Sequence, residues 1–172
     1  SRETEVPDFS GLASNVWPSG WMYADLSNGY GWYSSDKLIK VNYNNCWFAS
    51  PPYSQPITRF EYKFKSNKKD SLEVENTKLV VWVSKKEEGD DWVEFDRRQV
   101  SASMSTVVSD ITTGEGIRRI KFSVDYSGSD MSYASALLLG VNVLSITCGE
   151  VVSTSEGSCT VAEPTATFSN LN

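Results

Sequence analysis

Aromatic side chains are crowded into the first third of this 172-residue chain, between Trp17 and Tyr53. A two-layer interior buries some large rings, but this segment holds more than such an interior can hide, so some are expected on the surface. Tyr30, Trp32 and Tyr33 lie in the polar, turn-rich stretch SNGYGWYSSD, where exposed rings commonly serve binding. Because sugar rings pack their C–H faces on indole and phenol planes, this segment favours carbohydrate binding.

Two sets of side chains are predicted to form the binding site. The rings expected to stack on sugar are Trp21, Tyr30, Trp32 and Trp82, with Trp92 next. The polar partners expected to bond the hydroxyls are Arg59, Glu61, Lys121 and Asp125. If the strands of Arg59 and Lys121 share a sheet, these polar residues form one face with Trp82 and Trp92. The alternative interpretation is a solvated face of cross-strand ion pairs, which has the same alternation.

Composition excludes several classes of function. The chain has 16 basic and 22 acidic residues, a net charge of −6, which repels a phosphate backbone and argues against nucleic acid as a partner. Histidine is absent, which excludes an imidazole base and imidazole-based metal sites. No apolar run approaches the roughly 18 residues needed to span a bilayer, so no membrane insertion is expected.

Carboxylates are the catalytic groups that glycan cleavage would use in a chain without histidine. Glycoside cleavage needs two of them, and Glu61, Glu94, Asp96 and Asp125 are the possible partners. No paired-acid strand motif appears, and a small sandwich lacks the long loops that build a deep cleft. A non-catalytic protein is therefore predicted, and a small glycan hydrolase or lyase is the third interpretation.

The elements that must position these residues are predicted to be strands. In IRRIKFSVDYSG, alternate residues from Ile120 to Tyr126 are apolar, and ITRFEYKFKS alternates in the same way around Tyr62. In TKLVVWVSK the apolar face leaves Trp82 on the opposite one. Eight or nine such strands with turn signals between them, and no helical period, predict an all-β, antiparallel two-sheet β-sandwich of the jelly-roll type.

The cysteines bear on the domain boundary. We predict a β-sandwich domain over residues 1–148 and a Ser/Thr-rich tail over 149–172. A Cys148–Cys159 disulfide would attach the tail covalently to the last strand, and Cys46–Cys148 is the alternative pairing. The disulfide and the composition favour a secreted or extracellular protein, with attachment to a cell surface as an option.

The order of the strand segments resembles the galactose-binding-like jelly roll used by many carbohydrate-binding modules. The segments that carry the resemblance are WPSGWMYADL, KLIKVNYNNCWFAS, PITRFEYKFKS, LVVWVS, IRRIKFSVDYSG and LLLGVNVLSI, within residues 9–148. The run from Asn28 to Trp32 is similar to an Asn-Gly-Tyr plus tryptophan run that stacks on β-linked sugars. Such folds often hold a structural calcium with an acid in the last strand. Asn142 stands in that region here, so no cofactor is predicted and a calcium is left open.

Together, these features predict a non-catalytic module that binds polysaccharide or glycan by aromatic stacking. The rival hypothesis is a secreted or cell-surface adhesion domain, involved in host interaction, whose exposed rings contact protein.

Overall fold

The computed structural model describes residues 4–24, 32–33, 37–67, 74–128, 138–149 and 159–162, with the backbone alone at 32 and 33. Within these residues the chain is nearly all β, as predicted. The strands are β1 (Thr4–Glu5), β2 (Met22–Ala24), β3 (Trp32–Tyr33), β4 (Leu38–Lys40), β5 (Trp47–Ala49), β6 (Ile57–Lys65), β7 (Thr77–Ser84), β8 (Val93–Gln99), β9 (Ser105–Asp110), β10 (Arg119–Tyr126) and β11 (Gly140–Cys148). Two short 3-10 helices cover Ser10–Ser14 and Thr113–Glu115.

The strands form two antiparallel sheets. Sheet A has the order β3-β4-β11-β6-β9, and β1 also pairs with β11. Sheet B has the order β2-β5-β10-β7-β8. The apolar sequence of β11 suits its position, because it lies inside sheet A with strands on both sides. The predicted antiparallel two-sheet sandwich is therefore confirmed.

The core lies between the two sheets and follows the alternation of the longest strands. Phe60 and Tyr62 on β6 are buried, and so are Ile120 and Phe122 on β10. The rings of Tyr62 and Phe122 meet across the sheets at 5.2 Å between centroids, edge to face. Strands β6 and β10 thus turn their aromatic and aliphatic side chains inward and their polar side chains to the outer faces.

The assignment of β6 and β10 to separate sheets corrects one prediction. Arg59 and Glu61 lie on the outer face of sheet A, whereas Lys121 and Asp125 lie on the outer face of sheet B. The four polar residues therefore do not form one face. Both strands alternate with a period of two, and that period shows which residues point inward but not which sheet a strand joins.

Residues 159–162, beyond β11 in the sequence, lie against the sandwich. Cys148 and Cys159 form the predicted disulfide, with their Cα atoms 4.9 Å apart, and Cys46 is a buried thiol outside it. Val161 forms an antiparallel bridge with Tyr53. Residues 159–162 are thus held against the sandwich by one covalent bond and by backbone pairing.

No helix among the described residues has the length and apolar character to cross a membrane.

Candidate functional site

Three tryptophans surround one lysine on the outer face of sheet B. The ammonium nitrogen of Lys121 lies 5.4 Å from the ring centroid of Trp47, 5.1 Å from that of Trp82 and 4.9 Å from that of Trp92. All three distances are within the range of a cation–π interaction. We call Trp47, Trp82, Trp92 and Lys121 the tryptophan cluster.

Strand register brings the cluster together from four segments. Lys121 pairs with Trp82 on β7 and with Ala49 on β5, so Trp47 lies one outward position further along β5. Trp92 stands immediately before β8, at the end of the loop that follows β7, and its backbone N–H donates to the Asp90 carbonyl at 2.8 Å. The three rings are partly exposed, so each has surface to offer a ligand.

Polar groups orient the centre of the cluster. The indole N–H of Trp82 donates to the Ser123 hydroxyl at 2.8 Å, which fixes the ring on the sheet. Burial lowers the pKa of Lys121, and the charge of Asp90 opposes this shift. No carboxylate among the described residues lies within ion-pair distance of the Lys121 ammonium. Its N–H donors are therefore not committed to an acidic partner.

An arginine bridge borders the cluster. Arg97 donates to Glu94 at 2.8 Å and to Asp125 at 2.5 Å, and it links β8 to β10 across β7. Hydrogen bonds to Glu94 and then to Asp125 raise the pKa of Arg97. A hollow of about 300 Å³ lies here, lined by Asn44, Val80, Trp82, Arg97, Ser123, Val124 and Asp125. The site thus places charged hydrogen-bonding groups next to an indole plane.

A larger cleft of about 700 Å³ lies at the edge of the sandwich, where β8 of sheet B is opposite the residues that follow β9 of sheet A. Its floor is apolar and includes Val83, Phe95, Ile111 and Ile117. Val93, which also lines the cleft, is 66% exposed and Phe95 is 39% exposed, so two neighbouring apolar side chains face solvent here. The cleft is also lined by charged side chains such as Lys86, Asp91 and Glu115, and its lining contains no tryptophan.

Four of the predicted site residues lie together on sheet B: Trp82, Trp92, Lys121 and Asp125. Arg59 and Glu61 lie on the opposite outer face. Trp21 is 6% exposed and packs edge to face on Phe9 at 5.0 Å, so its ring has no free face for a sugar. Tyr30 and the side chain of Trp32 lie outside the described residues.

Trp47 and Arg97 were not predicted as members of the site, and Glu94 was predicted only as a possible catalytic carboxylate. Trp47 has apolar neighbours in the sequence, which favour an interior position, but Cys46 and Phe48 are the buried residues and the alternation directs Trp47 outward. Arg97 reaches the outer face because the register of β8 slips at Phe95, with Asp96 opposite Val81 and Glu94 opposite Trp82. The alternation of β5 is enough to predict that Trp47 faces outward, whereas the register slip in β8 is visible only in the structure.

No group of three or more acidic, cysteine or histidine side chains in the described part of the chain could hold a metal ion.

Known proteins share this fold. The K3 cleaved adhesin domain of Lys-gingipain from Porphyromonas gingivalis w83 has a TM-score of 0.60 and 11% identity, with 84% of this chain and 98% of that domain covered. The K2 cleaved adhesin domain has a TM-score of 0.55 and 13% identity, with 84% and 97% covered. A variant of a carbohydrate-binding module of family 29 has a TM-score of 0.52 and 12% identity, with 91% and 99% covered.

No family model and no curated protein matches the chain. At these identities, the solved structures show a shared fold. A fold shared with carbohydrate-binding modules was predicted from the order of the strands, and it is confirmed.

Proposed function

We propose that this chain is a non-catalytic carbohydrate-binding module that binds polysaccharide or glycan across the tryptophan cluster. The observation that carries the proposal is the arrangement of three partly exposed indole rings around Lys121 on one sheet face. Indole planes accept the C–H faces of sugar rings, and the lysine N–H groups can donate to hydroxyl oxygens between them.

The expected affinity follows from the number of rings. Each stacked ring contributes about 1–2 kcal/mol, so the three rings of the cluster give about 3–6 kcal/mol. This corresponds to a dissociation constant between millimolar and tens of micromolar. Such weak binding suits a polymeric ligand, because many modules or many repeats along one chain strengthen attachment by avidity.

The arginine bridge supports recognition rather than cleavage. Glu94 and Asp125 both accept hydrogen bonds from Arg97, and all three side chains are partly exposed at the border of the cluster. Groups held in this way can accept from and donate to sugar hydroxyls without moving. The cluster lies on a sheet face, whereas a glycan-cleaving enzyme needs a deep site around its two carboxylates.

An extracellular location is part of the proposal. The Cys148–Cys159 disulfide supports it, because disulfides persist in oxidising environments.

Affinity electrophoresis tests the proposal. The protein is run through native gels that contain soluble glucans, mannans or xylans, beside a variant with Trp47, Trp82 and Trp92 changed to alanine. The matched control changes Arg59 and Glu61 to alanine on the opposite face. We expect one polysaccharide to retard the wild type and the control but not the tryptophan variant, at unchanged melting temperatures. Equal retardation of all three proteins would contradict a site at the cluster.

A second candidate function is adhesion to protein. It is supported by the fold shared with the gingipain adhesin domains and by the apolar cleft with exposed Val93 and Phe95. If no polysaccharide retards the wild type, and changing Val93 and Phe95 to serine abolishes attachment to a protein-coated surface, this function replaces the first. A small hydrolase or lyase is third, and release of reducing ends that stops in Glu94→Gln would support it.

A further inference from the structure

A buried arginine lies directly beneath one ring of the tryptophan cluster. Arg119 begins β10 and is only 1% exposed, although it carries a full charge. Its guanidinium carbon lies 4.4 Å from the centroid of the Trp92 ring. A charged side chain is almost never buried to this extent unless its hydrogen-bonding groups are satisfied, so its partners indicate what it does.

The partners of Arg119 belong to the loop that leads to Trp92. Its Nε donates to the Lys86 carbonyl at 2.8 Å, and its Nη2 donates to the Gly89 carbonyl at 2.9 Å. Nη2 also donates to the Ser84 hydroxyl at 3.2 Å, where β7 ends. One planar side chain thus binds the beginning and the middle of this loop and contacts the ring at its end.

The charges of the loop compensate the burial of the arginine. Burial lowers the pKa of Arg119, and the carboxylates of Asp90, Asp91 and Glu88 oppose this shift. Trp92 itself precedes the edge strand of sheet B, and β8 pairs on one side only among the described strands. Since a ring at the start of an edge strand has little neighbouring sheet to hold it, Trp92 depends on the loop and on Arg119 for its orientation.

We infer that Arg119 is a positioning residue that holds Trp92 in place for sugar stacking. This inference rests on the proposed function. Lysine cannot replace arginine here, because an ammonium group lacks the planar fork that bonds two carbonyls while it stacks on an indole. Arg119 does not itself contact the ligand, since it is covered by Trp92 and the loop.

A double-mutant cycle tests the role of Arg119. Binding of the retarding polysaccharide is measured for the wild type, Arg119→Lys, Trp92→Ala and the double variant. We expect Arg119→Lys to weaken binding by about five- to tenfold, about as much as Trp92→Ala. In the Trp92→Ala background the same change is expected to cost less than about twofold, because the ring that it positions is gone. An equal loss in both backgrounds would overturn the inference.

A measurement without sugar separates this inference from the proposed function. The protein is labelled with 5-fluorotryptophan, and Trp92→Phe assigns the fluorine resonance of Trp92. We expect Arg119→Lys to move this resonance toward the position of a solvated indole while that of buried Trp21 stays in place. An unchanged Trp92 resonance would overturn the positioning role. If the resonance moves but no polysaccharide binds the wild type, the proposed function is wrong while the positioning of Trp92 by Arg119 stands.

The control variant is Arg118→Lys. Arg118 is the preceding residue and donates to the carbonyls of Tyr53 and Ser54, away from the loop. We expect it to leave both the Trp92 resonance and the polysaccharide affinity within twofold of the wild type.

Discussion

The two outer faces of the sandwich have the same alternation and different chemistry. On sheet B, Lys121 lies among three indole rings, and no carboxylate of the described residues is within ion-pair distance of its ammonium group. On sheet A, Arg59 lies 3.8 Å from Asp110, and their side chains are 46% and 77% exposed. Strands β6, β9 and β11 contribute no tryptophan to that face.

The difference shows which face is suited to binding. An exposed ion pair such as Arg59–Asp110 contributes little, because water screens it and both side chains lose freedom. A partly buried cation beside aromatic planes keeps hydrogen-bond donors next to an apolar surface. A sugar ring complements this surface, because it offers apolar C–H faces beside hydroxyl oxygens that accept hydrogen bonds. A period-two pattern is therefore a poor guide to function until the sheet that carries it is known.

Removing one ring of the tryptophan cluster is expected to cause the largest loss of polysaccharide affinity. Trp82→Ala should weaken polysaccharide binding by about five- to thirtyfold, the equivalent of about 1–2 kcal/mol. Isothermal titration calorimetry measures this loss, and thermal unfolding checks that the fold is intact. Arg59→Ala on the other face should change affinity by less than about twofold. Similar losses from both variants would remove the distinction between the faces.

Breaking the arginine bridge is expected to have a smaller effect. Arg97→Ala frees Glu94 and Asp125 from their shared partner, and we expect affinity to fall by about two- to fivefold. The free energy of unfolding should fall by less than about 1 kcal/mol, because the pairs are exposed. Calorimetry and urea unfolding measure the two quantities. A loss of affinity as large as that from Trp82→Ala would shift the centre of the site from the rings to the bridge.

The partial burial of Lys121 predicts a dependence on pH. Because burial lowers its pKa below 10.5, the folded state loses this proton at a lower pH than the unfolded state does. The free energy of unfolding of the wild type, relative to Lys121→Met, should therefore rise as the pH rises through the folded pKa toward 10.5. Urea unfolding of both proteins between about pH 8 and 11 measures this difference. A difference in unfolding free energy that stays constant or falls over this pH range would contradict the claim that burial lowers the pKa of Lys121.

The smallest effect is expected on sheet A. Arg59→Ala should change the free energy of unfolding by less than about 0.5 kcal/mol, because its ion pair is long and exposed. Urea unfolding of this variant at low and high salt provides the measurement. A larger, salt-sensitive loss would show that this face also depends on its charges.

Much of the fold, and part of the site, could be predicted from the alternation of apolar and polar residues along the strands. The inward residues of β6 and β10 were predicted correctly, and so was the outward position of Trp82. The pairing of Cys148 with Cys159 was also predicted, with one rival left open. These features depend on local spacing, which the sequence displays directly.

The remaining features depend on contacts between distant segments. Whether Arg59 and Lys121 share a sheet depends on strand order, which alternation leaves undetermined. Arg97 faces outward because of the register slip at Phe95. Trp21 was predicted to stack on sugar, but its ring is covered by Phe9 from the N-terminal segment. In each case a long-range contact overrides the local pattern.

The central claim is that sugar binds at the tryptophan cluster, and indole N–H resonances report on it most directly. A ¹⁵N-labelled protein is titrated with an oligosaccharide of the retarding polysaccharide while the tryptophan side-chain signals are followed. The account predicts that the signals of Trp47, Trp82 and Trp92 shift with saturation, while that of buried Trp21 stays in place. Saturable binding that leaves these three signals unmoved, or that shifts backbone signals of β6 instead, would contradict it.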